Sequence, residues 1–269
     1  MLVIGEKINA TNSAVAEAIA RRDDEFIARL ASSQDVGGAD FIDVNAGSGH
    51  GPLSDDATSM TWLVKTVQSA TNKPLAIDSD SPRVIEAALG QYRGERLIIN
   101  SVTAEPARLE PIGSLAAERH AWLVALAMGA EGIPDTSEKR LAACDTIMAD
   151  LLHLGIEPEQ VLFDPLVLPI GVDATQGLVT LKTIEQIKAR YPAARTVMGL
   201  SNISYGLPNR KLINRAFLQM AAYAGLDAVI LDPLDARTMS LVRVADMLSG
   251  KDPLCKAYLR AHRKGEIVK

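Results

Sequence analysis

The 269-residue sequence predicts a single-domain α/β protein built as a (β/α)8 TIM barrel. Three observations carry this expectation. Short runs rich in Val, Ile and Leu recur eight times without the clean alternation of half-buried strands, as parallel strands covered on both faces do. Helix start and stop signals fill the gaps between the runs. The eight units average about 34 residues, the size of one barrel repeat. An open doubly wound sheet is the competing architecture, and uninterrupted alternation of strand and helix favours closure.

The predicted strands cover residues 2–5, 41–45, 75–78, 97–100, 122–128, 161–164, 196–200 and 228–232. Ser81 as N-cap, Pro82 at the first helical position and Gly90 after the last turn bracket a helix carrying Val84, Ile85 and Leu89. Asp135-Thr136-Ser137-Glu138 offers a capping box to a helix running through Leu141, Ile147, Met148, Leu151 and Leu152 to Gly155. Leu178, Leu181, Ile184 and Ile187 step at helical spacing before Pro192. Asn209 is placed to cap a run over 212–223 that ends at Gly225, and 236–248 follows the last strand as a helix. No linker or composition shift divides the chain. The barrel proper is expected over about residues 1–250, with a helical tail over 251–269.

Composition and charge exclude several function classes. Lys plus Arg is 28 and Asp plus Glu is 33, a net charge of −5. A nucleic-acid binder needs a basic balance or stripe, and this chain has neither. The basic residues Arg260, Arg263 and Lys264 read as one solvated face of the tail. Cys144 and Cys255 form no CxxC pair, so no zinc ribbon or redox pair is legible. The N-terminal MLVIGEKINA lacks a basic segment followed by a long apolar one, and no apolar run reaches the ~18 residues of a membrane span. The expectation is a cytoplasmic protein.

Barrel chemistry sits at the C-terminal ends of the strands. There the sequence places Asp43 and Asn45, Asp78 and Ser79, Asn100 and Ser101, Asp164, Ser201 and Asn202, and Asp232. No lysine is expected at a strand end, which disfavours Schiff-base chemistry. No histidine is expected there either, which disfavours a His-based zinc site. Ser201 lacks a His partner and a G-x-S-x-G setting. A carboxylate accepts two parallel N–H bonds, and a carboxamide both donates and accepts. Such a set suits a flat heterocycle with an amidine-like edge, a pterin or a purine. The same aspartates, Asp43, Asp78, Asp164 and Asp232, also suit a hard cation, and residue types alone leave both readings open. Blander roles exist for some of them. Asp232 before Pro233 fits a turn or cap, Asp78-Ser79 fits a cap for the helix at Pro82, and Asp40 and Asp227 fall on the opposite rim as structural groups. The glycine-rich 47–52 segment reads as a connection rather than a phosphate cradle.

These strand ends resemble a known family. IGEKIN at 4–9, DVNAG at 43–47, IDS at 77–79, INS at 99–101, FDPLVLP at 163–169, GLSNIS at 199–204 and the pair Asn209-Arg210 occur in that order. Each motif alone is weak; together they are similar to the pterin-binding barrel methyltransferases over about residues 1–240. Within these, the match is best to enzymes that transfer methyl groups between methyltetrahydrofolate and a corrinoid protein. The resemblance implies that Asp78, Asn100 and Asp164 bind the pterin edge and that Asn202 sits near N5 and its methyl group. It implies that Asp43 and Asn45 line the pocket floor and that Ser201 and Arg210 shape one wall. Dihydropteroate synthases are less similar, because LVLP follows the FDP motif here and LDPLD closes the last strand.

The implied substrate is tetrahydrofolate or 5-methyltetrahydrofolate. The chain has no D-x-H-x-x-G corrinoid motif, so cobalamin is expected on a partner protein. Asn202 and Asp43 are the expected catalytic residues: a carboxamide donor at N5, and a member of the chain that moves its proton. No strong acid is expected beside Asn202, and no metal is expected on the chain. The partner is expected to dock over the barrel mouth, at residues 47–54, 129–135 and 204–210. The family further implies a homodimer through the helical exterior. Competing readings are a metal-dependent barrel enzyme, a dihydropteroate synthase-like enzyme and a non-catalytic folate-binding module.

Overall fold

Eight parallel strands close into a barrel in the order β1 to β8, each paired with its sequence neighbours and β1 with β8, in a computed structural model that describes residues 1–47 and 56–268. The strands are β1 (Leu2–Asn9), β2 (Phe41–Asn45), β3 (Leu75–Asp78), β4 (Leu97–Val102), β5 (Trp122–Leu126), β6 (Val161–Asp164), β7 (Arg195–Gly199) and β8 (Ala228–Leu231). Helices α1 (Ser13–Arg21) and α2 (Asp24–Val36) follow β1. Then come α3 (Asp56–Ala70), α4 (Pro82–Leu89), α5 (Pro106–Glu118), α6 (Ser137–His153), α7 (Gln176–Arg190), α8 (Arg210–Ala224) and α9 (Ala236–Leu248), each after one strand, and α10 (Lys256–Arg263) in the tail. None of the described helices is long and apolar enough to cross a membrane.

Two apolar layers hold the fold. Outside the sheet, residues such as Ile42, Val44, Ile77 and Ile99 pack against Leu63, Ile85, Ile112 and Ile147 of the helices. Inside, one residue per strand forms a plug: Ile4, Phe41, Ala76, Ile98, Val124, Leu162, Val197 and Ala228. Strand side chains alternate faces with a period of two. Two residues beyond the plug, the inward positions are therefore Glu6, Asp43, Asp78, Asn100, Leu126, Asp164, Gly199 and Ile230. The polar groups of the mouth stand one pleat above an apolar floor.

Five of the eight strands end where the sequence predicts, to within one residue; β1, β4 and β5 do not. β1 continues four residues past Gly5, through a register irregularity between Gly5 and Ile8. The apolar run stops at Gly5, but pairing with β2 goes on to Asn9, opposite Asn45. β4 continues to Val102, and β5 stops at Leu126. Several caps also differ. Thr136 caps α6 by accepting from Lys139 N, while Glu138 pairs with Lys182 instead of closing a capping box. Ser81 and Asn209 occupy N-cap positions without a side-chain cap bond, Asn209 with φ of 51°. Asp235 is the working cap of α9. Asp40 and Asp227 serve the lower rim, accepting from Val3 N and from Thr196 N and Lys188 Nζ.

Candidate active site

The mouth is built from three groups of polar residues. In the first, Asp78 and Asn100 are register partners on β3 and β4. Asn45 Nδ2 donates to Asp78 Oδ2 at 2.8 Å, and Asn45 Oδ1 accepts from Gly47 N at 2.8 Å. The orientation of Asp78 is thus set by β2. Its carboxylate does not cap α4; Ser79 Oγ takes Ser81 N instead. Below them, Asn100 Nδ2 reaches Asp43 Oδ1 at 3.5 Å, and Asp43 is buried.

In the second group, Ser201 Oγ donates to Glu6 Oε1 at 3.0 Å. Arg210 donates from Nη2 to the Ser201 carbonyl at 2.6 Å and from Nε to Ser204 Oγ at 3.1 Å, so it locks the turn that follows β7. Asn202 lies in this turn, exposed at the mouth. Lys7 Nζ pairs with Asp232 Oδ2 at 3.1 Å, and Asp232 Oδ1 accepts from Leu234 N. Asp232 therefore forms a turn and an ion pair.

In the third group, Asp164 Oδ1 accepts from Leu166 N at 2.8 Å. Within the described residues its second oxygen has no partner, which leaves an acceptor edge at the mouth.

Two expectations are corrected here. A lysine does stand near the end of a strand, because β1 is longer than its apolar run; it is held in the ion pair with Asp232. A carboxyl does stand one residue from Asn202, because Glu6 accepts from Ser201 Oγ. The signal for Glu6 was available in its parity: it lies two residues beyond Ile4, as Asp43 lies beyond Phe41 and Asp78 beyond Ala76. It becomes visible only once the strand is known to continue. Gly5 and Gln34 explain how it does. Gln34 Oε1, from α2, accepts from Lys7 N at 3.0 Å and fills the space where a Cβ on residue 5 would stand, 2.4 Å away.

Electrostatics sets the mouth apart. Burial pushes Asp43 well above the ordinary carboxylate range, and the neighbouring Asp78 charge adds to this. Burial raises Asp78 to about 6 against the hydrogen bond from Asn45. Burial likewise raises Asp164 to about 6, against the Leu166 N–H and the Arg140 charge. Glu6 is raised by burial and by Asp232, and opposed by Ser201, Lys7 and Arg210. Desolvated carboxylates of this kind gain most from a ligand that brings N–H donors. The four aspartates do not converge on a cation: among the described residues no three His, Cys, Asp or Glu side chains stand close enough to hold a metal. Residues 48–54 of the expected docking surface lie outside the described residues.

The chain is 33% identical over 269 residues to the methylcorrinoid:tetrahydrofolate methyltransferase of Eubacterium limosum, covering 99% of this chain and 98% of that one. It is 31% identical to methionine synthase of Mycobacterium leprae over 95% of its own length, but spans only 23% of that longer protein. Among solved structures, dihydropteroate synthase of Coxiella burnetii bound to pteroic acid superposes with a TM-score of 0.68 at 14% identity, over 94% of this chain and 93% of that one. The Yersinia pestis enzyme with a sulfonamide gives 0.67, also at 14%, over 93% and 94%. At such identity these two establish the shared barrel. Residues 5–232 match the family described as pterin binding enzyme, a span that begins just before Glu6 and ends at Asp232, so the whole polar mouth falls inside it and the chain belongs to that family.

Proposed function

We propose that this protein moves a methyl group between N5 of tetrahydrofolate and the corrinoid of a separate protein, in either direction. The observation that carries the reading is the division of the mouth. One wall offers the desolvated acceptors and amides of Asp78, Asn100 and Asp164; the facing turn offers Asn202 beside a Glu6–Ser201 pair. A pterin fits the first wall by chemistry: its N3–H and 2-amino group are donors in line, and Asp164 presents a matching acceptor edge. Asp78 and Asn100 meet the remaining ring heteroatoms, Asn45 holding Asp78 from the neighbouring strand and Asp43 accepting from Asn100. Full-length similarity to a methylcorrinoid:tetrahydrofolate methyltransferase supports the choice of reaction.

With the ring clamped, N5 faces the turn after β7. When the methyl group arrives, the N5 lone pair bonds to its carbon and the partner's cobalt keeps the electron pair of the bond it loses. N5 must then release its proton. In the opposite direction the N5–methyl bond breaks, and N5 needs a donor as negative charge builds on it. The Asn202 carboxamide supplies a donor whose hydrogen bond strengthens in that transition state. Glu6, its carboxyl raised by burial and linked to the Ser201 hydroxyl, takes or gives the proton. Asp43 lies in the same field: its carboxyl is raised partly by the Glu6 charge, which couples the two groups electrostatically.

The corrinoid partner docks over the mouth, against residues 129–135 and 204–210. On the barrel exterior, Leu212, Met220 and Tyr223 are exposed along α8 and offer a face for a homodimer, which sedimentation of the purified protein tests. The decisive experiment is spectroscopic. Mixing the protein with 5-methyltetrahydrofolate and cob(I)alamin, or with methylcobalamin and tetrahydrofolate, should convert one corrinoid spectrum into the other at a rate proportional to enzyme. Tight folate binding with no transfer to any corrinoid would identify a binding module instead.

A further inference from the structure

Arg140 on α6 is the largest fully buried side chain among the described residues, and each of its hydrogen bonds there goes to a neutral acceptor. An arginine is almost never buried without an acidic partner, because its charge loses hydration that neutral acceptors must replace. Here neutral acceptors replace it, two of them the successive carbonyls of one turn. Nη1 donates to the carbonyls of Pro165 at 2.9 Å and Leu166 at 2.7 Å. Nη2 donates to Gln176 Oε1 at 2.7 Å, and Nε donates to the Pro134 carbonyl at 3.0 Å. Thr180 Oγ1 adds a bond to the Leu166 carbonyl at 3.0 Å.

The turn held in this way has an unusual backbone. Leu166 has φ of 64°, in the left-handed region that a leucine adopts only when its surroundings impose it. In that conformation Leu166 N points back to Asp164 Oδ1. The guanidinium therefore holds the carbonyl side of the residue whose N–H holds the carboxylate. It also links this turn, through Pro134, to the loop after β5 at the barrel mouth.

We infer that Arg140 is a positioning residue for the pterin clamp: its guanidinium imposes the Pro165–Leu166 turn that aims Asp164, and its charge faces that carboxylate from behind. The inference rests on the proposed role of Asp164 at the pterin. Few other ionisable groups face Asp164. On α6 there is also Cys144, whose thiol is raised by burial and, to a smaller extent, by the charges of Asp145 and Asp164. β5 carries no titratable side chain, and β7 carries only Arg195, at its opposite end. On the α7 side, Asp173 is engaged by Gln176 and Thr175. The Arg140 charge opposes the burial that raises Asp164.

Two variants separate charge from geometry. Arg140→Gln removes the charge and keeps an amide donor; Arg140→Lys keeps the charge and loses the planar fork. The first readout is a carbon-13 titration of the Asp164 carboxyl in protein without folate. Its midpoint should rise in Arg140→Gln and stay near that of the unaltered protein in Arg140→Lys. The second is tetrahydrofolate affinity against pH by calorimetry. In Arg140→Gln the acid limb should move upward with the midpoint, costing about tenfold in affinity per unit on that limb, with recovery at higher pH. In Arg140→Lys affinity should fall severalfold at every pH. A folded Arg140→Gln protein with an unchanged Asp164 midpoint and unchanged affinity overturns the inference. If that variant does not fold, an Arg140→Lys protein that binds folate as tightly as the unaltered one overturns it equally. Absence of folate binding by the unaltered protein would count against the proposed function, while the ligand-free titration still reports on Arg140.

Discussion

The proposed clamp asks Asp164 to serve binding at a cost to stability. Its carboxyl lies near 6 in the folded protein, against an ordinary 3.8. An acid raised by folding stabilises the fold fully below its unfolded value, and that contribution is lost as pH rises through the folded value. Asp78 behaves in the same way. Pterin binding has the opposite sign, because a clamp on N–H donors needs the ionised form. Folate affinity should therefore rise as pH passes through about 6, while the ligand-free protein loses stability between about pH 4 and 6. Asp164→Asn keeps an acceptor for Leu166 N but turns a donor toward the pterin. We expect it to weaken folate binding by about 1.5–3 kcal/mol. The ligand-free variant at pH 8 should be at least as stable as the unaltered protein. Calorimetry and thermal melts at pH 5 and 8 check both halves, and unchanged affinity would remove Asp164 from the site. The facing turn is tested differently. Asn202→Ala should lower kcat more than it weakens binding, since its bond matters most in the transition state. Glu6→Gln should lower the rate by roughly 10²-fold, with folate affinity nearly kept and the pH dependence of the rate altered. Wild-type kcat with only a raised KM in either variant would limit that residue to ground-state binding.

Among the elements, β1 carries the most information about how the mouth is assembled. Its apolar run ends at Gly5, yet the strand continues because Gln34 reaches from α2 to the Lys7 N–H through the gap that a glycine leaves. Glu6 then faces the barrel interior, and Lys7 takes Asp232. A Cβ at residue 5 would meet the Gln34 side chain at 2.4 Å, inside any real contact. Gly5→Ala should therefore displace Gln34, destabilise the protein by about 1–3 kcal/mol and slow methyl transfer through a misdirected Glu6. Shortening the neighbour in the double variant Gly5→Ala/Gln34→Ala should recover part of the stability. Denaturant melts of the two variants measure this, and an undisturbed single variant would show that the close approach is unimportant. The turn after β7 is set by a comparable device. Arg210, at the start of α8, grips the Ser201 carbonyl and Ser204 Oγ, so the helix start fixes the segment that holds Asn202.

At the scale of the whole molecule, the apolar plug closes the barrel beneath the polar layer, so the proposed pterin site and the proposed corrinoid docking face share one open side. Docking at the mouth is best tested at an exposed residue. Ser204, although central in the loop over 204–210, is buried and accepts from Arg210, so a charge there would disturb the fold rather than the contact. Tyr205 is 69% exposed beside it. Tyr205→Glu should slow transfer to the corrinoid protein while leaving folate affinity and transfer to free cobalamin nearly unchanged. Equal transfer rates with the protein partner would place docking elsewhere.

The sequence alone determined the architecture and most of the mouth. Strand and helix in alternation leave a closed parallel barrel as the simplest way to cover both faces of eight short apolar strands, and that closure orders Asp43, Asp78, Asn100, Asp164 and Asn202 at one end. These residues were legible because their strands stop on a clear change from aliphatic to polar. Glu6 was not legible, because the continuation of β1 depends on Gln34, 28 residues downstream in another element. The roles of Asn45 and Arg210 as supports, the burial of Ser204 and the unpaired burial of Arg140 also depend on contacts between distant segments. So do the raised carboxyl groups: a pKa responds to desolvation and to neighbours in space, and neither is written in the local order of residues.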